Sequence, residues 1–198
     1  MAFLKSRPEL ELPDIQFLFQ GTPPGVTAWF PGIRPGYQDG FCCRPVLLRP
    51  ESRGTIRLGS NEPDTKVVIR QNFLDSENDV RTLRDGFKMA RNVMSQPSLA
   101  AFHDAELAPG PDVQTDEEID AYNRATATTA HHPLGTCKMG IDDNAVVDAE
   151  LRVRGIGGLR VVDASAMPDL VGGNINAAVL MIAEKASDMI RGRSPLAP

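Results

Sequence analysis

The chain has 198 residues, of which 41% are hydrophobic and 24% charged, and a formal net charge of -5. This is ordinary globular composition for one domain or two small ones, and without a basic block it argues against a nucleic-acid partner. The longest apolar run, near residues 176–183, is too short for a membrane span. The N-terminus lacks the apolar core of a signal peptide, so we expect a cytoplasmic protein. The cysteines, Cys42, Cys43 and Cys137, fit neither a disulfide framework nor a CxxC zinc motif.

Short strands are predicted in the first 70 residues. In Gly54–Ser60, Ile56 and Leu58 alternate with Thr55 and Arg57, which is typical of a strand with one buried face. Turn residues separate this strand from its neighbours, which favours an antiparallel sheet. The other predicted strands are Ile15–Gln20, residues 41–50 and Lys66–Arg70.

A long loop rich in glycine and proline, residues 21–40, follows the first predicted strand. Such a loop in a compact domain is usually functional or mobile. Its aromatic residues Trp29, Phe30 and Tyr37 either line a pocket or pin the loop to the body of the protein.

Two amphipathic helices are predicted after residue 75. From Ser76 the apolar residues recur at helical spacing, and either Ser76 or Asn78 is a suitable N-cap. The second helix covers Thr115–Ala127, where Thr115 and Glu118 fit a capping box and acids crowd the first turn.

The C-terminal region predicts a strand, a loop and a helix. Leu159–Ser165 has the composition of a buried strand ending near Asp163, and apolar residues from Ile175 onward follow helical spacing, apolar enough for burial. Glycines just before the helix allow close approach of a ligand, and a helix N-terminus attracts anions. Most such units bind nothing, so a structural and an anion-binding interpretation both stay open. No G-x-G-x-x-G motif is present. The nearest pattern, GIGGL at 155–159, does not fit because a predicted strand follows it instead of a helix.

Two of the three histidines lie together in HHPLGTCKMG, residues 131–140. A histidine with a pKa near neutrality is the usual general base, and Pro133 and Gly135 favour a rigid irregular loop. A histidine that merely packs at a helix end is an alternative. A copper site of His132, Cys137 and Met139 with a second histidine is another, since these ligands suit copper.

This motif and the strand–loop–helix after it resemble the C-terminal part of the glucose–methanol–choline (GMC) oxidoreductases, flavoproteins that include choline dehydrogenases and alcohol oxidases. PDIQFLFQ and LLRPESRGTIRLGS resemble the same family, so the resemblance covers about Pro13–Arg191. Members are roughly two to three times this length, and their N-terminal part carries the dinucleotide fingerprint and most of the FAD site. The resemblance therefore implies FAD as cofactor, a small alcohol as substrate, and an N-terminal FAD-binding chain or segment as partner.

The fold that the resemblance implies is α+β. Residues 1–130 would belong to a substrate-binding domain with an antiparallel sheet and packing helices. Residues 131–198 would carry the catalytic histidine loop and return into the FAD-binding domain, where the C-terminal strand–loop–helix completes a Rossmann-like fold.

The resemblance also implies roles for single residues. His132 matches the catalytic histidine, which accepts the hydroxyl proton as hydride passes to flavin N5. Asn174 matches the second catalytic position and is also a candidate N-cap of the last helix. Asp163 and Ala164 match positions beside the ribityl and pyrophosphate groups, and Asn176 and Ala177 open the helix that faces flavin N1 and O2. His131 is expected to shape the pocket wall, and Cys137 and Met139 to belong to the scaffold.

The implied function is oxidation of an alcohol to a carbonyl by the C-terminal portion or subunit of an FAD-dependent enzyme. Two alternatives remain. One is a hydroxynitrile lyase-type relative that keeps FAD without net redox chemistry, and the other is a catalytically silent fragment or assembly module.

Overall fold

The computed structural model describes residues 1–23, 25, 26, 30–33, 36 and 39–194. Trp29 and Tyr37, two of the three predicted pocket aromatics, lie outside the described residues, and the third, Phe30, is 57% exposed. The chain forms two compact units: Met1–Ser52 with Phe73–Ala127, and Arg53–Asn72 with Thr128–Pro198.

The first unit is an antiparallel sheet with packed helices. Its strands, β1 (Ala2–Leu4), β2 (Ile15–Gln20) and β3 (Cys42–Leu47), pair in the order β1-β2-β3. The strands in 15–20 and 42–47 were predicted, whereas β1 was not, since its three residues give no periodic signal.

The helices of the first unit are α1 (Glu77–Met94) and α2 (Asp116–Thr126), with a 3-10 turn at Pro97–Leu99. Their predicted caps are confirmed: Ser76 caps α1, and the capping box has both bonds, Thr115 Oγ1 accepting from the Glu118 N–H and Glu118 accepting from the Thr115 N–H. Helix α1 lies close to the sheet at Gly86, where an added Cβ would stand 2.9 Å from Cδ1 of the buried Ile15.

The second unit contains a hairpin of β4 (Thr55–Arg57) and β5 (Val68–Arg70), a 3-10 turn at Ala164–Ala166 and helix α3 (Asn176–Ile190). Its core comprises Val147, Leu151, Ala166 and Ala186. The α+β class with antiparallel sheets is therefore confirmed, while completion of a Rossmann-like domain stays a prediction. So does the division at residue 130 into a substrate-binding and an FAD-binding part.

Three local expectations are wrong. Leu159–Ser165 is not a strand: within the described residues it makes one isolated bridge, Arg152 with Arg160, although Val161 and Val162 still pack on the core. Strand β4 has no buried face, because its hairpin stands as a separate two-stranded sheet and all its residues are exposed. In α3, Ala186 is the one residue that is buried.

Candidate active site

Backbone hydrogen bonds hold the histidine loop, residues 131–140, against residues 163–167. Gly135 has a φ of +82°, a conformation that suits glycine, and its carbonyl accepts from the Lys138 N–H at 3.3 Å. The Cys137 N–H then donates to the Ser165 carbonyl at 2.9 Å, and the Met139 N–H to the Ala166 carbonyl at 2.9 Å. These bonds place the loop beside residues 163–167, so the motif and the predicted cofactor residues share one framework.

His132 and Asn174 are brought together by this framework. Asn174 Nδ2 lies 3.2 Å from His132 Nε2, although the residues are 42 positions apart. An amide NH₂ group can only donate, so in this contact Nε2 accepts and the imidazole proton is on Nδ1. His132 is half-buried and Asn174 is exposed. The pair thus places a donor, Nδ2, beside an acceptor, Nε2, at an accessible surface.

Asn174 is not the helix N-cap that the sequence allowed as an alternative. The cap position of α3 is Ile175, which makes no side-chain capping bond. Gly172, with a φ of +72°, turns the chain just before Asn174. The Asn174 side chain contacts His132, and Asn174 does not occupy the cap position of α3.

Two features of the loop were missed by sequence reasoning. His131 adopts the left-handed conformation, with a φ of +63°, and its backbone N–H donates to Thr129 Oγ1 at 2.9 Å. A positive φ is uncommon for any residue but glycine, and although histidine is enriched among the exceptions, one histidine alone does not predict it. The threonine two residues earlier is a recognised turn pattern and could have indicated the bond.

Cys137 and Met139 carry backbone bonds, and the Met139 side chain packs against the core cluster of the second unit. In the ranges that the structure describes, no group of three or more His, Cys, Asp or Glu side chains could hold a metal ion. The copper alternative therefore gains no support.

Comparison with known proteins assigns the family. The GMC oxidoreductase C-terminal profile matches residues 50–183, about two thirds of the chain. The chain belongs to the GMC oxidoreductase family. It is 46% identical over 194 residues to an oxygen-dependent choline dehydrogenase of Pseudomonas entomophila strain L48, a match that covers 98% of this chain and 34% of that protein. The chain thus spans about a third of the length of the curated GMC relatives it matches.

Solved GMC structures have the same fold. Pyridoxine 4-oxidase from Mesorbium loti superposes with a TM-score of 0.82 at 29% identity, covering 98% of this chain and 38% of that one. Formate oxidase of Aspergillus oryzae RIB40, in a mutant made to study FAD modification, gives a TM-score of 0.82 at 28% identity, covering 92% and 32%. The GMC relatives are FAD-dependent flavoproteins, which confirms FAD as the cofactor of the family. No helix in the described part of the chain has the length and hydrophobicity of a membrane span.

The residues predicted to bind the cofactor carry exposed polar groups. Asp163 Oδ1 accepts from the Ser165 N–H at 2.7 Å and from its hydroxyl at 2.5 Å, while Oδ2 makes no hydrogen bond with the described residues. Helix α3 starts without a side-chain cap and without an acid in its first turn, so the N–H groups at Asn176 and Ala177 can face an anionic group. Asp163, Asn176 and Ala177 are exposed, and Ala164 begins the 3-10 turn that Asp163 caps. The donor set suits a ligand with both hydroxyl and anionic groups.

Proposed function

We propose that this chain is the C-terminal portion of an FAD-dependent alcohol oxidoreductase, in which His132 and Asn174 bind and deprotonate the substrate hydroxyl. The observation that carries the proposal is the 3.2 Å contact between Asn174 Nδ2 and His132 Nε2 in a GMC framework. A substrate hydroxyl can replace the contact between the two side chains, donating to His132 Nε2 and accepting from Asn174 Nδ2.

Each side chain has a distinct part in the proposed reaction. Asn174 donates to the substrate oxygen through Nδ2, and His132 accepts the hydroxyl proton at Nε2. The existing contact holds His132 in the tautomer that this step needs, because Nε2 is already an acceptor. FAD, when bound, supplies the acceptor for the hydride of the alcohol carbon.

Asp163, Ala164, Asn176 and Ala177 are the residues that we propose to hold FAD. The second oxygen of Asp163 is available to accept from a cofactor hydroxyl. The first turn of α3 offers N–H groups and the positive end of a helix dipole, which stabilise the negative charge of a reduced flavin ring.

We further propose that an N-terminal segment, of the kind the longer relatives contain, covers two exposed apolar surfaces of the second unit. One is the α3 face with Leu180 and Met181, which are 62% and 59% exposed. The other is the hairpin face where Ile56 pairs with Ile69, at 50% and 60% exposure. Exposed apolar groups of this kind usually mark an interface. The curated relatives extend well beyond the matched third, and this added length would provide the covering surface.

The test is His132→Ala in the complete flavoprotein that contains this chain, with His103→Ala as control. His103 is an exposed histidine of the first unit, so its loss should leave turnover unchanged. Loss of a general base should lower the rate of flavin reduction by an alcohol about 10²–10⁴-fold while FAD stays bound. Near-normal reduction with an unchanged pH profile would refute the role of His132.

The same experiment separates the two alternatives. Anaerobic reduction of bound flavin by an alcohol would contradict the hydroxynitrile lyase-type function, which has no net redox step. A silent fragment or assembly module would yield no flavin-binding complex with any N-terminal segment.

A further inference from the structure

The backbone of His132 is constrained from both sides. His131 before it is left-handed, with a φ of +63°. Pro133 after it fixes its own φ and restricts His132 to the extended or polyproline region. The conformation at 131 therefore sets how the backbone enters His132 and so orients its Cα–Cβ bond, since the proline already limits the other side.

The left-handed conformation is held by one side chain. Thr129 Oγ1 accepts from the His131 N–H at 2.9 Å. The imidazole of His131 is exposed and makes no hydrogen bond with any described residue. Residue 131 is thus held through its backbone N–H, while its imidazole ring makes no hydrogen bond with a described residue.

We propose that His131 is a positioning residue: its left-handed backbone, held by Thr129, directs His132 Nε2 at Asn174, and its imidazole takes no part in proton transfer. The inference rests on the proposed function, in which that nitrogen is the base. By the same inference Thr129 is a positioning residue, because its hydroxyl oxygen holds the turn at His131.

The test uses substitutions that separate the backbone from the ring, in the complete flavoprotein. His131→Asn removes the imidazole but keeps a residue that readily adopts the left-handed conformation, whereas His131→Val strongly disfavours it. Thr129→Ser keeps the hydroxyl acceptor, whereas Thr129→Val replaces it with a methyl group of similar shape.

We expect His131→Asn and Thr129→Ser to reduce flavin within about twofold of the parent rate and with the same pH profile. His131→Val and Thr129→Val should lose about tenfold or more in the rate constant with a smaller change in KM, because a displacement of 1 Å can cost about 10²-fold. If His131→Val does not fold, Thr129→Val carries the same test.

A second readout is the rate at which diethyl pyrocarbonate modifies His132, followed by peptide mass spectrometry. This rate should change in both valine variants and stay constant in the asparagine and serine variants. A loss in His131→Asn equal to that in His131→Val would show that the ring matters and overturn the proposal. Parent-like behaviour of both valine variants would also overturn the proposal for His131. If His132→Ala is inactive in the same preparation, the proposed function still stands when the proposal for His131 fails. Normal turnover of His132→Ala would instead remove the proposed function.

Discussion

Asp79 is a buried carboxylate that fixes a turn of the first unit, and its removal should be costly. The residue is 2% exposed and lies in the first turn of α1. Its Oδ1 accepts from the Glu51 N–H at 2.9 Å, and its Oδ2 accepts from the Ser52 N–H at 2.8 Å and the Ser52 hydroxyl at 2.5 Å. Three donors of one turn therefore bond to a single side chain.

We expect Asp79→Ala to lower the free energy of unfolding by about 3–6 kcal/mol. A hydrogen bond to a charged group contributes about 1.5–3 kcal/mol, and the Ser52 donors are only partly open to water, so two such bonds set the magnitude. Glu51 is exposed, and its N–H can regain a bond to water. Asp79→Asn should also be harmful, since an amide presents one acceptor oxygen where the carboxylate uses two.

The assay is equilibrium unfolding in guanidinium, with Glu77→Gln as matched control. Glu77 is an acid in the same first turn but is exposed, so its loss removes only the interaction with the helix dipole, about 0.3–1 kcal/mol. If Asp79→Ala cost no more than Glu77→Gln, the reasoning from the three bonds would be refuted.

Three more predictions concern stability and assembly. The backbone N–H groups of Thr115 and Gln114 hold the pKa of Glu118 below its ordinary value of 4.5. Charged Glu118 therefore stabilises the fold above pH 4.5, and this contribution is lost as the pH falls through the lower pKa of the folded state. Glu118→Gln should remove this contribution to acid sensitivity, which is measured as the free energy of unfolding against pH. Gly86→Ala should lower the guanidinium midpoint, since overpacking against Ile15 costs about 1–3 kcal/mol and improved helix propensity returns about 1 kcal/mol; a raised midpoint would contradict the steric argument. Leu180→Glu should change the free energy of unfolding of the chain by less than about 0.5 kcal/mol, because the residue is 62% exposed. The same substitution should lower the FAD content of the complex with the N-terminal segment. Unchanged FAD content would argue against that interface.

The elements that the sequence predicted well are those with local chemistry. Helix α2 begins where its capping box lies, with Thr115 and Glu118 bonded as expected. Strand β2 covers Ile15–Gln20, as its apolar composition indicated. In both segments the signal and the structure involve neighbouring residues, so no distant part of the chain was needed to interpret them.

The elements that the sequence predicted poorly depend on distant partners. Ile56 and Leu58 alternate with polar residues as in a half-buried strand, yet their hairpin is exposed in this chain. Helix α3 is apolar enough for burial, but Leu180 and Met181 face solvent. A pattern reports that a surface is suited to burial, and it cannot report which segment covers it. The left-handed backbone at His131 is a different case, since its bond to Thr129 is local and was overlooked in the sequence.

The proposed chemistry divides into two parts that can be lost separately. The proton step needs His132 and Asn174, which meet within one unit at 3.2 Å and require no residue from elsewhere. In the same proposal, cofactor binding needs Asp163 and the start of α3, and it needs the exposed faces of that unit to be covered. We therefore expect the two variants to lose different properties. His132→Ala should retain FAD and lose flavin reduction by alcohol, whereas Leu180→Glu should lose FAD while the contact between His132 and Asn174 persists. Loss of FAD from His132→Ala, or loss of the contact between His132 and Asn174 in Leu180→Glu, would mean that the pair and the cofactor site form one inseparable structure, and the division proposed between them would be wrong.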